Sequence, residues 1–187
     1  MFKEKGHVLV LLITGILLLA ATSTALARGN VNAFIGTKSL DADYWAPVES
    51  QAAAGVEADF GADDSPLRFA VNLISSAATD NYSFMEVTGE TLELQLGAKG
   101  FFGDGPVHPF VGGGLTIATG YFSGSYYTTV DDNDTALGLW LSGGVLFNTG
   151  HFNLGLELGY SKADIELFGI KGDAGGTRFG ILIGGNW

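Results

Sequence analysis

Apolar residues alternate with polar or small residues in eight separate stretches of the chain. The stretch 92–99 shows this most clearly, because leucine or alanine occupies every even position and a polar residue or glycine every odd one. A period of two is typical of a β-strand whose two faces meet different surroundings. The predicted strands cover residues 31–38, 55–60, 67–73, 92–99, 111–121, 137–147, 152–160 and 178–187.

The connections between these stretches alternate in length. The short ones cover residues 61–66, 103–108 and 148–151, and the long ones cover 39–50, 77–90, 122–135 and 162–176. Short turns at one end and long loops at the other are typical of outer-membrane barrels. A soluble barrel would also alternate, but the polar set here holds many glycines and too little lysine for a soluble exterior. We therefore predict an all-β fold, an eight-stranded antiparallel transmembrane up-and-down β-barrel.

The first 27 residues have a different character. Lys3 and Lys5 precede an apolar run from Val8 to Ala21, and Ala25-Leu26-Ala27 then gives the small-x-small pattern that signal peptidase recognises. The run is shorter than the roughly 20 residues that a membrane-spanning helix needs. We therefore predict a signal peptide over 1–27 and a β-barrel over 28–187, with a membrane-anchoring helix as the alternative.

Composition excludes several classes of protein. The formal net charge of −11 argues against binding nucleic acid, whose phosphates favour basic proteins. The absence of cysteine excludes disulfides, thiolate chemistry and a lipoprotein anchor. The mean hydropathy of +0.28 is high for an acidic protein, yet no long apolar run follows the leader. This combination fits a chain that turns every second residue toward lipid, and we expect it in the bacterial outer membrane.

The sequence resembles the small outer-membrane barrels of the OmpA/OmpX type. The resemblance rests on Pro-Phe-Val-Gly-Gly-Gly-Leu at 109–115, the glycine-rich strand pairs and the terminal aromatic Trp187, and as a pattern it covers residues 28–187. It implies insertion by the barrel-assembly machinery. The signal that this machinery reads in the last strand is matched by Phe179, Ile181, Ile183 and Trp187. No peptidoglycan-binding domain is expected after Trp187.

The positions opposite the apolar set are expected to face the barrel interior, and eight of them are charged. They are Lys38, Glu57, Asp59, Arg68, Glu93, Lys99, Glu157 and Arg178. A barrel of eight strands is only wide enough to be filled by side chains, and an isolated buried charge is costly. We therefore predict an ion-pair network that plugs the barrel. A gated polar path is the alternative, because the inward glycines leave room for water.

The long connections carry nearly all of the net negative charge, and we expect them to form a solvated acidic surface. Asp131, Asp132 and Asp134 offer the oxygen ligands that calcium and magnesium prefer. They lack the glycine and distal glutamate of an EF-hand loop, so they are weak candidates for a metal site. The aromatic residues of these connections are interpreted as an interfacial girdle. They are Tyr44, Trp45, Tyr82, Phe84, Tyr126 and Tyr127.

An enzyme acting on lipid A would need a histidine paired with a serine and an acid near the outer leaflet. Beyond the leader the histidines are His108 and His151, and both fall in short turns at the opposite end of the barrel. Nucleotide and phosphate-binding motifs are absent. We therefore predict a non-catalytic barrel without a cofactor.

Its predicted role is structural or surface-interacting, and its expected partners are outer-membrane lipid and lipopolysaccharide. The macromolecular partner of the loops is open. A low-conductance channel for ions or small solutes is the alternative function.

Overall fold

The computed structural model describes residues 28–62, 65–82, 85–103, 105–125 and 129–187. The signal peptide predicted over residues 1–27 lies outside the described residues and stays a prediction. Most of the described residues belong to β-strands. In this part of the chain no helix is long and apolar enough to cross a membrane.

Eight strands close into an antiparallel barrel, which confirms the predicted fold class. Each barrel strand pairs with the barrel strands before and after it in the chain, and the first pairs with the last to close the ring. The barrel strands are β1 (Arg28–Ser39), β2 (Ser50–Gly61), β3 (Leu67–Tyr82), β4 (Met85–Phe101), β5 (Val107–Ser125), β6 (Thr129–Thr149), β7 (Phe152–Lys162) and β10 (Gly176–Asn186).

The two faces of the barrel wall differ as the alternation predicts. Large apolar side chains point outward, and Leu137, Leu139 and Leu141 are more than 60% exposed. The residues between them point inward, and Trp140 is 1% exposed. In water such an outer surface would be an unusually large apolar patch. The wall is therefore built to contact lipid, and its polar side chains lie in the lumen.

The two ends of the barrel are unequal. One end, which we name the turn end, is where β2 leads to β3, β4 to β5 and β6 to β7, and it also holds Arg28 and Trp187. The other, the outer end, carries a short helix, α1 (Ala42–Trp45), between β1 and β2. It also carries a hairpin of β8 (Asp164–Leu167) and β9 (Ile170–Asp173) between β7 and β10. Asp41 caps α1 by accepting a hydrogen bond from the Asp43 amide at 3.0 Å.

Two of the predicted long loops are wrong, because the chain there continues as strand. β3 and β4 stay paired to Tyr82 and Met85, and β5 and β6 to Ser125 and Thr129. Threonine hydroxyls meet across both extensions, with Thr79 and Thr88 3.0 Å apart and Thr119 and Thr135 2.8 Å apart. Such β-branched cross-strand pairs favour a sheet over an irregular loop.

These extensions rise on one side of the barrel only. Pairing between β2 and β3 stops at Ala52 and Ala77, and pairing between β6 and β7 stops at Leu139 and Lys162. We name the extended part the raised wall, residues 78–82, 85–90, 119–125 and 129–138. The outer end therefore presents a short sheet along one flank, with α1 and the β8–β9 hairpin beside it.

Candidate functional site

The centre of the lumen holds charged side chains that contact one another. Lys99 on β4 binds Glu57 of β2 at 2.5 Å and Glu157 of β7 at 3.2 Å. Arg178 on β10 binds the second oxygen of Glu157 at 2.8 Å and lies 3.9 Å from Glu57. All four side chains are at most 3% exposed. Two acids and two bases from four strands thus form one compact cluster.

A second cluster lies on the outer side of the first. Lys38 of β1 donates to Glu93 of β4 at 2.6 Å, and also to Thr91 and to the carbonyl oxygen of Ala174, both at 2.8 Å. Ser161 of β7 donates to the same Glu93 carboxylate at 2.9 Å. The Lys38 ammonium therefore has three acceptors, which is its full donor capacity.

Gln95 joins these two clusters. Its carbonyl oxygen accepts from Arg178 at 3.2 Å, and its amide nitrogen donates to Glu93 at 2.7 Å. We name the connected set Lys38, Glu57, Glu93, Gln95, Lys99, Glu157 and Arg178 the lumenal network. Three acids and three bases balance within it, so the buried charges are compensated.

Two inward glycines make room for the long basic side chains. A β-carbon at Gly159 would lie 2.6 Å from the Arg178 guanidinium carbon, and one at Gly112 would lie 2.6 Å from Lys99 Cγ. The alternative interpretation of the sequence, a gated polar path, assigns this space to water. In the structure the side chains of Arg178 and Lys99 occupy it, so at this level the lumen is filled by protein.

The remaining predicted pair lies nearer the turn end. Arg68 of β3 binds Asp59 of β2 at 2.9 Å, and its guanidinium stacks over the Phe101 ring at 4.5 Å. Asn30 donates to the same carboxylate at 2.8 Å. Asn153 donates to Asn30 at 3.0 Å, which continues the polar chain toward the turn end. The structure thus brings all eight predicted interior charges into ion pairs with one another.

The outer mouth of the lumen is covered by an apolar cluster that the sequence did not reveal. We name it the outer cap, and its buried members come from α1 and its flanks, the raised wall with the adjoining residue of β5, and the β8–β9 segment. They are Leu40, Trp45, Val48, Val87, Ala118, Ala163, Ile165, Leu167 and Ala174. Trp45 is fully buried and donates its indole N–H to the Asp173 carbonyl at 2.7 Å. Its assignment to an interfacial girdle is therefore wrong.

Tyr44 was also assigned to the girdle, but it too belongs to the covering of the mouth. Its hydroxyl accepts from the Leu167 amide at 2.9 Å and donates to the Ile170 carbonyl at 3.1 Å, which ties α1 to the β8–β9 hairpin. Partial burial, with nearby acids, raises the pKa of this hydroxyl and so disfavours its charged form. The side chains of the other four girdle candidates lie outside the described residues.

Asp132 and Asp134 hold the same hairpin to the raised wall. Asp132 accepts from the Phe168 amide at 2.7 Å, and Asp134 accepts from the Glu166 amide at 2.8 Å. Asp131 points to the opposite face of β6, because neighbours on a strand alternate. The three weak metal candidates therefore do not converge. Within the described ranges no three His, Cys, Asp or Glu side chains are grouped to hold a metal ion.

The predicted assembly-signal residues occupy the last barrel strand. Phe179, Ile181 and Ile183 point outward from β10 and are 55%, 45% and 42% exposed. Trp187 follows the strand, and its backbone pairs with Gly29. Recognition of these residues by the assembly machinery stays a prediction.

Solved structures of bacterial outer-membrane proteins are similar to this barrel. No family model matches the chain, and no curated protein sequence matches it. The attachment invasion locus protein Ail of Yersinia pestis, solved with the heparin analogue sucrose octasulfate, superposes with a TM-score of 0.65 at 11% identity, covering 87% of this chain and 99% of Ail. The chain has the fold of the small OmpA/OmpX-type outer-membrane barrels.

Two further structures share this OmpA/OmpX-type fold. OprG of Pseudomonas aeruginosa gives a TM-score of 0.58 at 12% identity, with 87% of this chain and 96% of OprG covered. Neisserial surface protein A gives 0.55 at 19% identity, with 86% and 94% covered. The identities are low, so the likeness concerns the fold. OprG is an outer-membrane protein by its name, and the apolar outer face of this barrel is of the kind that contacts lipid.

Proposed function

We propose that this chain is a closed, non-catalytic outer-membrane barrel whose acidic outer end binds a basic partner at the cell surface. The observation that carries this proposal is the outer cap. It covers the lumen with apolar side chains and at the same time fixes α1 and the β8–β9 hairpin against the raised wall. An ordered outer end of this kind is suited to binding, because its shape is set before a partner arrives.

The filled lumen supports a closed barrel over the alternative channel. An ion entering from the outer end would meet the outer cap first and the lumenal network next. Passing the cap would require it to shed water among apolar side chains, and passing the network would require paired charges to separate. Both steps are costly, so native conductance is expected to be near zero.

The charge of the outer end indicates what kind of partner it would take. Twelve acids and two lysines lie there. The acids are Asp41, Asp43, Glu49, Asp80, Glu86, Glu90, Asp131, Asp132, Asp134, Asp164, Glu166 and Asp173, and the lysines are Lys162 and Lys171. Ail was solved with a polyanion, whereas the sign here disfavours polyanions and attracts basic surfaces.

Catalysis on lipid A has little support from the histidine positions. The His108 and His151 rings contact the Gly103 and Asn186 carbonyl oxygens, at the turn end. With the outer end in the extracellular space, both lie far from the outer leaflet.

Binding and conductance measured on one preparation test the proposal. The refolded barrel is placed in planar bilayers for conductance and in vesicles for binding of fluorescent poly-L-lysine and of a heparin fragment. We expect no steady current, saturable polylysine binding that weakens with salt, and no heparin binding. Asp164→Asn with Glu166→Gln should weaken polylysine binding, whereas Asn153→Gln in the lumen should leave it unchanged. Steady native currents, or heparin binding stronger than polylysine binding, would overturn the proposal.

Orientation is tested separately, since the chain has no cysteine of its own. Thr79→Cys and Asn133→Cys lie on the raised wall and should react with an impermeant maleimide on intact cells. Gly105→Cys lies at the turn end, where a side chain meets open space, and should react only after the outer membrane is opened. Labelling of Gly105→Cys alone on intact cells would reverse the proposed orientation.

A further inference from the structure

A pocket of about 250 Å³ opens at the turn end, on the far side of the barrel from the acidic loops. Its lining includes Arg28, Arg68, Asn148, His151 and Trp187. Arg28 is exposed and forms no ion pair with any residue that the structure describes. Arg68 shares one ion pair with Asp59 and also reaches the pocket. In an acidic protein, two guanidinium groups at one small cavity form a local basic site.

Two buried polar atoms of this lining lack partners. Asn148 Oδ1, an acceptor, and Trp187 Nε1, a donor, have no hydrogen bond to any part of the chain that the structure describes. Buried polar groups are normally satisfied, and leaving one unpaired is costly. An acceptor and a donor beside two arginines therefore point to a ligand that carries an anion and also a hydrogen-bond donor.

We propose that this pocket binds a phosphate ester that carries an amine, the headgroup of a phosphatidylethanolamine lipid in the adjoining leaflet. The phosphate oxygens would accept from Arg28, Arg68 and the Trp187 indole N–H, and the ammonium would donate to Asn148 Oδ1. Guanidinium groups suit phosphate because they donate in a planar fork. The pocket lies at the strand ends. Its lining joins the lumen-facing Arg68 to Trp187, which continues the outward positions of β10, so a lipid can place its chains on the outer wall and turn its headgroup over the strand ends into the pocket.

The experiment measures calorimetric binding to the folded barrel in a neutral maltoside detergent without phosphate. The probes are dihexanoyl phosphatidylethanolamine, inorganic phosphate, and dihexanoylglycerol, which has the same chains without the headgroup. We expect saturable binding of the phospholipid, weaker binding of phosphate and none of dihexanoylglycerol. Phosphate binding as tightly as the phospholipid would overturn the lipid as the ligand. Equal binding of dihexanoylglycerol would overturn the headgroup site altogether.

Single substitutions, measured by the same calorimetry, test which residues contact the ligand. Arg28→Gln should weaken phospholipid binding about tenfold or more, the effect of one lost charge-assisted hydrogen bond. Trp187→Phe keeps the terminal aromatic ring and removes only the donor, so it should weaken binding of both phosphate probes. Asn148→Ala should weaken binding of the phospholipid and leave phosphate unchanged, since phosphate has no ammonium. The matched control Lys171→Gln removes an exposed base at the outer end and should change nothing. An unchanged affinity in Arg28→Gln would overturn the proposal.

Discussion

The membrane-spanning wall and the outer end of this barrel are built in opposite senses. In the wall most large apolar side chains face outward, and the interior holds the lumenal network of charges beside a smaller cluster of apolar side chains that includes Phe34 and Leu182. At the outer end the acids face outward, and apolar side chains such as Trp45 and Ile165 fill the interior. The reversal follows the surroundings, because lipid surrounds the wall and water surrounds the outer end. In each region the outward-facing side chains are those that the surrounding lipid or water accepts.

The largest effect is expected from removing the base at the centre of the lumenal network. Lys99→Met leaves Glu57 and Glu157 next to each other with Arg178 as the remaining base of the central cluster. Breaking a buried pair in this way costs about 3–5 kcal/mol, so the free energy of unfolding in urea should fall by that order. The double variant Lys99→Met with Glu57→Gln should lose less than the sum of the single changes. Equal stability of the native and Lys99→Met barrels would show that the network is hydrated rather than buried.

An arginine on the outer face of a strand tests where the membrane-spanning wall ends and the outer end begins. Leu94→Arg places a charge on the outer face of β4, where its neighbours across the sheet are Leu73 and Ile117. We expect a loss of about 2–4 kcal/mol in unfolding free energy, measured in lipid bilayers. Thr88→Arg is the matched control, because Thr88 lies on the same face of the same strand but in the raised wall. It should change stability by less than about 0.5 kcal/mol. Equal losses would mean that lipid also surrounds the raised wall.

Opening the outer cap should affect the outer end and spare the barrel. Trp45→Ala removes a fully buried ring and its hydrogen bond to Asp173. Because the cap can open without separating barrel strands, the free energy of barrel unfolding should change by at most about 1 kcal/mol. Protease cleavage within 163–175 should accelerate by roughly tenfold or more. Trp45→Phe keeps most of the ring and should show a smaller acceleration. A large loss of barrel stability would mean that cap and wall unfold as one unit.

The most local effect is expected from the carboxylates that hold the β8–β9 hairpin. Asp132→Ala removes the acceptor of the Phe168 amide and should cost about 1–2 kcal/mol of local stability. Hydrogen exchange at the Phe168 amide should rise accordingly, while amides in the middle of β4 keep their rates. Asp132→Asn retains an oxygen acceptor and should lie between Asp132→Ala and the native chain. Unchanged exchange at Phe168 in Asp132→Ala would show that the carboxylate does not hold the hairpin.

The membrane-spanning wall could be predicted from the sequence because the face of each residue depends only on its place in a short alternating stretch. A period of two assigns each residue to a face, so the inward positions of Glu57, Lys99 and Arg178 followed from counting alone. The same counting placed Gln95 inside, and a search for uncharged polar residues at inward positions would have identified it as a bridge between charges. Lipid surrounds the whole wall, so the same alternation of apolar and polar or small residues continues along each strand.

The outer cap could not be predicted in the same way because its contacts join distant segments. Trp45 meets Asp173 across 128 positions of sequence, and no local pattern distinguishes a tryptophan of the cap from one at the membrane interface. The raised wall was missed for another reason. Its residues are rich in acids and threonine and resemble a loop in composition. The large apolar residues that occupy every second position of a lipid-facing strand are missing there.

The pairing of β1 with β10 joins the two ends of the sheet, and we expect it to be the last strand pairing to form when the barrel closes. These two strands are the first and last of the described chain, so their contact closes a loop of about 150 residues and is the slowest to find by diffusion. Lys38 lies on β1 and Arg178 on β10, directly opposite each other across this seam. Until the seam closes, the lumenal face of the sheet is open, and its charges can keep their water. Their dehydration and their pairing therefore coincide in the final step, and no earlier intermediate has to bury an unmatched charge.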